Sequence, residues 1–121
     1  MSTLLLVGGF GLLGVLARFA IVSQFGAFAF PFGTLAVNGI GSFLAGILYA
    51  YAVERALLSE ELRVGIAVGF LGGFTTFSAF ALEIAKFVDA GRWLVGLSYA
   101  LISTVLGVGA VFAGLYLGRN S

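Results

Sequence analysis

Residues 64–82 read VGIAVGFLGGFTTFSAFAL, nineteen positions without a charged side chain. A bilayer-crossing helix needs roughly 20 mostly apolar residues, so this run is long enough to be one. Its middle is Gly69-Phe70-Leu71-Gly72-Gly73-Phe74-Thr75-Thr76-Phe77-Ser78-Ala79-Phe80. Two adjacent glycines followed by two β-branched threonines are poor helix formers; each glycine costs about 0.8–1.0 kcal/mol against alanine in a helix interior. One reading is a helix interrupted near mid-membrane. An interruption there frees backbone carbonyls, which are tolerated only in protein or beside a cavity, and such broken helices often mark ion sites. The other reading is a tight helix crossing at Gly72-Gly73. Both stand on these residues alone.

Working outward, the chain shows the same pattern three more times. No charge lies between Phe19 and Val53 or between Trp93 and Gly118, and Arg18 closes a long apolar run. The expected spans are about 4–22, 33–53, 62–88 and 93–117, one four-helix transmembrane domain over residues 1–121. The N-terminal run lacks a basic flank before it, so it reads as a retained helix rather than a signal peptide. Pro31 stands beside the start of the second span. Ser59 followed by Glu60 and Glu61 reads as an N-cap with acids in the first turn. Gly91 reads as a C-terminal stop and Trp93 as an interfacial anchor. The 121 residues are 61% hydrophobic and 9% charged, against about 45–50% and 25% in soluble domains. The fold class is therefore an all-α membrane protein. A net charge of +1 is too small for a nucleic-acid footprint. Cysteine and histidine are both absent, which removes thiolate and imidazole chemistry and the commonest metal ligands. An enzyme is the least expected class.

Four spans put Arg55, Arg63 and Arg119 on one side and Arg18, Lys86 and Arg92 on the other. Insertion follows Lys/Arg asymmetry, and here there is none. Either the few charges are a noisy signal, or both orientations occur and the protein pairs with its own inverted copy. Four helices barely enclose a hole, so a transport role implies an oligomer. The pairs Gly11/Gly14, Gly65/Gly69, Gly69/Gly73 and Gly114/Gly118 have small-residue spacing for close helix packing.

Inside the spans the polar groups are neutral. Thr34, Asn38 and Ser42 recur at i, i+4 and i+8 on one stripe, and Tyr99 and Ser103 at i, i+4 on another. Interhelical glue and a row of hydrogen-bond donors for an ion are both open readings. Phe77 and Phe80, three apart, share a face. An aromatic ring has a positive edge, so ring edges along a dry path would favour an anion. Arg18 either snorkels to the interface or concentrates anions in a vestibule. Glu83 and Lys86, three apart, read as a mutual pair marking a helix end.

Three segments together resemble the Fluc (CrcB) family of fluoride channels: GGFGLLGVLAR (8–18), GTLAVNGIGSF (33–43) and GGFTTFSAF (72–80). The match runs along the whole chain in order and spacing. The resemblance implies an antiparallel dual-topology homodimer in a microbial cytoplasmic (inner) membrane, multi-pass, with four transmembrane helices per subunit and the third broken near mid-membrane. It implies passive fluoride export through two pores, protecting the cell from fluoride, and a central structural Na⁺. By motif position the sodium carbonyls would belong to Gly72 and Thr75, the pore rings to Phe77 and Phe80, the pore amide to Asn38 and the vestibule cation to Arg18. Ser78, Tyr99 and Ser103 would be further polar groups of the pore wall. The implied partners are fluoride, sodium, the bilayer and an inverted second copy. Ala79 stands where the family usually has threonine, which removes one hydroxyl from that wall. Phe74 and Phe19 replace a usual leucine and tyrosine.

Two other functions compete. A proton-coupled exporter of the small multidrug resistance type needs an intramembrane carboxylate; spans one, two and four have none, and Glu83 reads as lying near a helix end. A non-transporting assembly subunit would need only the packing surfaces.

Overall fold

The computed structural model describes residues 2–26 and 29–121. Ala27 and Phe28, which belong to the first connection, lie outside the described residues. Four helices are long and apolar enough to cross a membrane: Thr3–Ser23, Phe32–Glu54, Glu60–Asp89 and Trp93–Arg119. The architecture is all-helical, and the elements follow one another in chain order. Helix α1 is Thr3–Ser23. Helix α2, Phe32–Leu48, continues into a wider π-helical segment, Tyr49–Glu54. The third span is composite: α3 (Glu60–Val64), a π-helical segment Gly65–Leu71, a single turn α4 (Gly72–Phe74), then α5 (Phe77–Asp89). The last span is one helix, α6 (Trp93–Arg119).

Local chemistry sets these ends. Ser2 and Ser59 cap α1 and α3, accepting from Leu4 N (3.2 Å) and Leu62 N (3.2 Å). A side-chain acceptor at an N-cap is typically worth about 1 kcal/mol. Glu60 and Glu61 occupy the first turn of α3, where the helix dipole favours negative charge. Gly91 has φ +76°, the left-handed conformation that lets the chain reverse between α5 and α6. At the far end, Arg119 grips Glu54 with two 2.8 Å bonds, and Arg55 donates to the Gly118 carbonyl at 3.1 Å. The end of α6 is thus tied to the end of the second span.

Packing is pairwise: α2 lies along α6, α1 lies along the π-helical segment and α4 of the third span, and α5 packs on α6. Glycines make both main crossings close. A methyl at Gly69 would stand 2.6 Å from the Val7 carbonyl oxygen, and one at Gly73 would stand 2.7 Å from that of Gly11. A methyl at Gly46 would collide with the Val111 carbonyl, and one at Gly114 with that of Phe43. Backbones in contact gain dispersion energy, which drives helix association where lipid removes the hydrophobic term. Among the described residues the buried set apart from glycines is small: Val37, Ala50, Ala52, Leu71, Phe74, Phe87, Tyr99 and Thr34. Most large apolar side chains point outward, from Leu4 and Phe19 to Phe77, Phe112 and Tyr116. That is the distribution of a chain whose solvent is hydrocarbon.

The centre of the third span departs from helix just after the glycine pair. Gly72 is helical (φ −63°, ψ −36°), and Gly73 forms the crossing with α1. The extended residues are Thr75 (φ −90°, ψ 159°) and Thr76 (φ −148°, ψ 117°). The helix then restarts at Phe77, with Thr76 Oγ1 accepting from Ala79 N at 3.2 Å.

Candidate functional site

Extended backbone at membrane depth has unsatisfied N–H and C=O groups, each costing several kcal/mol in hydrocarbon. Asn38 answers this from α2. Its Nδ2 donates to the Thr76 carbonyl (3.0 Å), and its Oδ1 accepts from the Thr76 N–H (2.8 Å). One side-chain amide thus replaces the strand partner that Thr76 lacks. Ser42 Oγ donates to the Asn38 carbonyl (2.7 Å) and Thr75 Oγ1 to the Leu71 carbonyl (2.8 Å).

This break takes the carbonyls just before it out of the helical ladder, those of Gly72 and Thr75 among them. In an unbroken helix the Gly72 oxygen accepts from residue 76 and the Thr75 oxygen from residue 79. Here the Thr76 N–H goes to Asn38 and the Ala79 N–H to Thr76 Oγ1. Gly72 is also open, with no atom closer than 4.0 Å to where its Cβ would be. Among the described residues no group of acids could hold a metal. The donors on offer are neutral oxygens, which suit a hard cation.

Beside the extended pair runs a ladder of rings. Phe77 and Phe80 are 5.7 Å apart by centroid and tilted by 56°. Phe80 meets Tyr99 edge-on at 5.2 Å. Tyr99 is fully buried and also receives Phe30 at 5.3 Å and Phe87 at 6.4 Å. Phe77 is 77% exposed in a single copy, so the ladder runs from the protein interior to the outer face.

A carboxylate closes the inner end, contrary to the expected Glu83–Lys86 pair. Glu83 does not pair with Lys86 and does not mark a helix end; α5 continues to Asp89. Its Oε2 accepts from Thr34 Oγ1 (2.7 Å) and its Oε1 from Tyr99 OH (2.8 Å). Both donors are buried, and an unpaired buried hydroxyl costs about 1–3 kcal/mol, so they hold the carboxylate inward. The signal was present: Phe77, Phe80 and Glu83 recur at i, i+3 and i+6, one helical face.

The other expected residues lie as follows. Ser78 is exposed, its Oγ 3.3 Å from Thr76 Oγ1. Ser103, one turn beyond Tyr99, has a buried hydroxyl with no hydrogen-bond partner among the described residues. Arg18 is half-buried and forms no ion pair among the described residues. The structure therefore brings together Asn38, Thr75, Thr76 and Ser78 around the extended pair, and Phe77, Phe80, Tyr99 and Glu83 along the ladder. It does not bring Arg18 into polar contact with either group.

Residues 5–115 match the family described as "CrcB-like protein, Camphor Resistance (CrcB)". The chain belongs to the CrcB family. Proteins named "Fluoride-specific ion channel FluC" are similar to it along most of its length. That of Desulforapulum autotrophicum is 46% identical over 112 residues, 90% of each chain. Those of Geobacter sulfurreducens and Rhizobium meliloti are 41% and 43% identical, over 99% and 98% of each chain. This CrcB chain, with four apolar spans, is a multi-pass membrane protein.

Proposed function

We propose that this chain is a fluoride channel, conducting F⁻ passively out of the cell through the inner (cytoplasmic) membrane. The observation that carries the reading is the ladder Phe77–Phe80–Tyr99 beside the extended Thr75–Thr76 segment. Ring edges are weakly positive and cannot be neutralised by protonation. They attract an anion, repel a cation and hold neither strongly enough to stop it. Small, strongly hydrated fluoride must exchange water for dense hydrogen bonding. Ser78, Ser103 and the amide proton of Asn38 not directed at Thr76 supply it; Tyr99, whose hydroxyl proton goes to Glu83, contributes its ring edge, while Arg18 concentrates the anion outside. The same groups would suit chloride; the names of the relatives favour fluoride.

The working unit in this proposal is an inverted homodimer with two pores. One copy leaves Phe77 bare, and a second copy would cover it. The third span is broken at Thr75–Thr76, and the carbonyls of Gly72 and Thr75 from both copies would hold a Na⁺. Sodium, when bound, supplies a fixed positive charge that joins the two third spans. The chain's own part is Asn38, which keeps Thr76 extended and so keeps those carbonyls out of the ladder.

Glu83 is a carboxylate of the kind a proton-coupled exporter would require, which keeps that second reading testable. The decisive experiment is fluoride efflux from liposomes holding the purified protein. Rapid efflux that ignores an imposed proton gradient supports the channel. Transport that requires the gradient would establish the exporter, and no transport at all the assembly subunit.

A further inference from the structure

A cavity of about 400 Å³ opens between Phe25, Gly26 and Ala29 to Pro31, the start of α2 and the C-terminal half of α5. Thr34 and Glu83 line its polar side, and Lys86 and Arg92 are the cations on its wall. Lys86 has an acid three residues before it, Glu83, a spacing that ordinarily pairs side chains on a helix, and Arg92 follows Asp89 across the Gly91 reversal. Neither pair forms: the ion pairs among the described residues are Arg63–Glu60 and Arg119–Glu54. The Thr34 and Tyr99 hydroxyls instead hold the Glu83 carboxylate inward. Arg92 stands over the Phe87 ring at 5.4 Å. That contact positions the guanidinium through its face and leaves its N–H donors available.

A third positive element meets the same cavity. Gly33 and Thr34, in the first turn of α2, line it, and no side chain caps this helix. Its positive dipole end therefore lies at the cavity, although the Phe32 N–H itself donates to the Phe30 carbonyl at 2.9 Å. Two unpaired cations and a helix end outweigh one carboxylate that is already hydrogen-bonded. A concave, positively lined mouth focuses field and raises local counter-ion concentration.

The geometry points to a capture site for a small inorganic anion at this mouth, held by Lys86 and Arg92. It is separate from Arg18, which does not line the cavity. A small ion is favoured over a lipid phosphate because Glu83, on the cavity wall, is bonded to the buried Tyr99, whose ring abuts Phe80 of the ladder. The inference rests on the reading of that ladder as an anion path, and capture is measured independently of conduction.

The test compares wild type with K86Q/R92Q in neutral phosphatidylcholine liposomes at low fluoride. At about 0.01 M ionic strength the Debye length is about 30 Å, and at 1 M about 3 Å. Because the double variant also shifts the Lys/Arg balance, each protein's flux is normalised to its own high-salt value. On that scale K86Q/R92Q should conduct roughly tenfold more slowly than wild type at low salt, the lower end of electrostatic steering. R55Q/R63Q, the equal and opposite shift on the other side, should show the wild-type salt dependence. In detergent, wild type should broaden the ¹⁹F⁻ resonance more than K86Q/R92Q does. Equal flux at low salt, or a deficit unaffected by salt, overturns the proposal. So does a deficit that appears only with anionic lipid, which would make the ligand a headgroup. If wild type does not conduct but still broadens the resonance more than the variant, the channel reading fails and the capture site stands. Equal broadening removes the capture site whatever the flux.

Discussion

Asn38 makes two hydrogen bonds to the backbone of one residue, and this pairing defines what a substitution there must do. Asn38→Asp keeps the shape but turns the donor facing the Thr76 carbonyl into a second acceptor. A lost bond at a buried backbone group costs about 1–3 kcal/mol. The variant should therefore melt earlier in detergent and carry little fluoride; a variant that folds, melts and conducts like wild type would remove Asn38 from both roles. The rings permit a cleaner separation of packing from pathway. Phe77 is exposed and Phe80 half-buried, so Phe→Ile at either removes little buried packing and should leave the fold intact. Loss of the positive edge should nonetheless abolish most fluoride flux in at least one of F77I and F80I. F112I, outward-facing on α6, should conduct normally. If both ladder variants match F112I, ring-edge coordination is excluded.

At the scale of elements, the two glycine crossings are testable against an internal control. Gly114→Ala pushes a methyl into the Phe43 carbonyl, whereas Gly109 has nothing within 4 Å of where its Cβ would be. Overpacking a close contact costs typically 1–3 kcal/mol. G114A should lower the melting temperature of the purified protein, and G109A should leave it unchanged or slightly raised; the reverse order would mean that α2 and α6 do not cross here. The composite third span makes a separate prediction. If the Gly72 and Thr75 carbonyls hold sodium, exhaustive exchange of Na⁺ for a bulky organic cation should slow or stop fluoride flux. Undiminished flux without sodium would leave the two carbonyls as consequences of the Asn38 clamp and nothing more.

The whole molecule is a thin bundle whose apolar side chains mostly face outward, with equal basic charge at its two ends. Such a chain carries no instruction for one orientation. Adding two lysines after Ser121 should bias insertion and depress activity when that chain is expressed alone. Co-expression with an oppositely biased chain should restore it. Full activity from the single biased chain would rule out inverted pairing.

Much of this was legible in residue order because it depends on local composition. Uncharged runs of nearly 20 residues leave few options but helices in lipid. Ser59, Gly91 and the glycine spacings act through their immediate neighbours, so a cap, a turn and close crossings followed from the letters. Glu83 and Asn38 were different. Glu83 lies three residues from Lys86, and only the arrival of Thr34 from α2 and Tyr99 from α6 turns it inward. Likewise the glycine pair drew attention to Gly72-Gly73, yet the extended residues are Thr75 and Thr76. Asn38 lies 38 residues away in sequence, and a side-chain amide can pair only with the backbone that folding delivers to it. Hydrogen-bond partners distant along the chain are chosen by packing, and in hydrocarbon, where water cannot substitute, that choice decides the backbone itself.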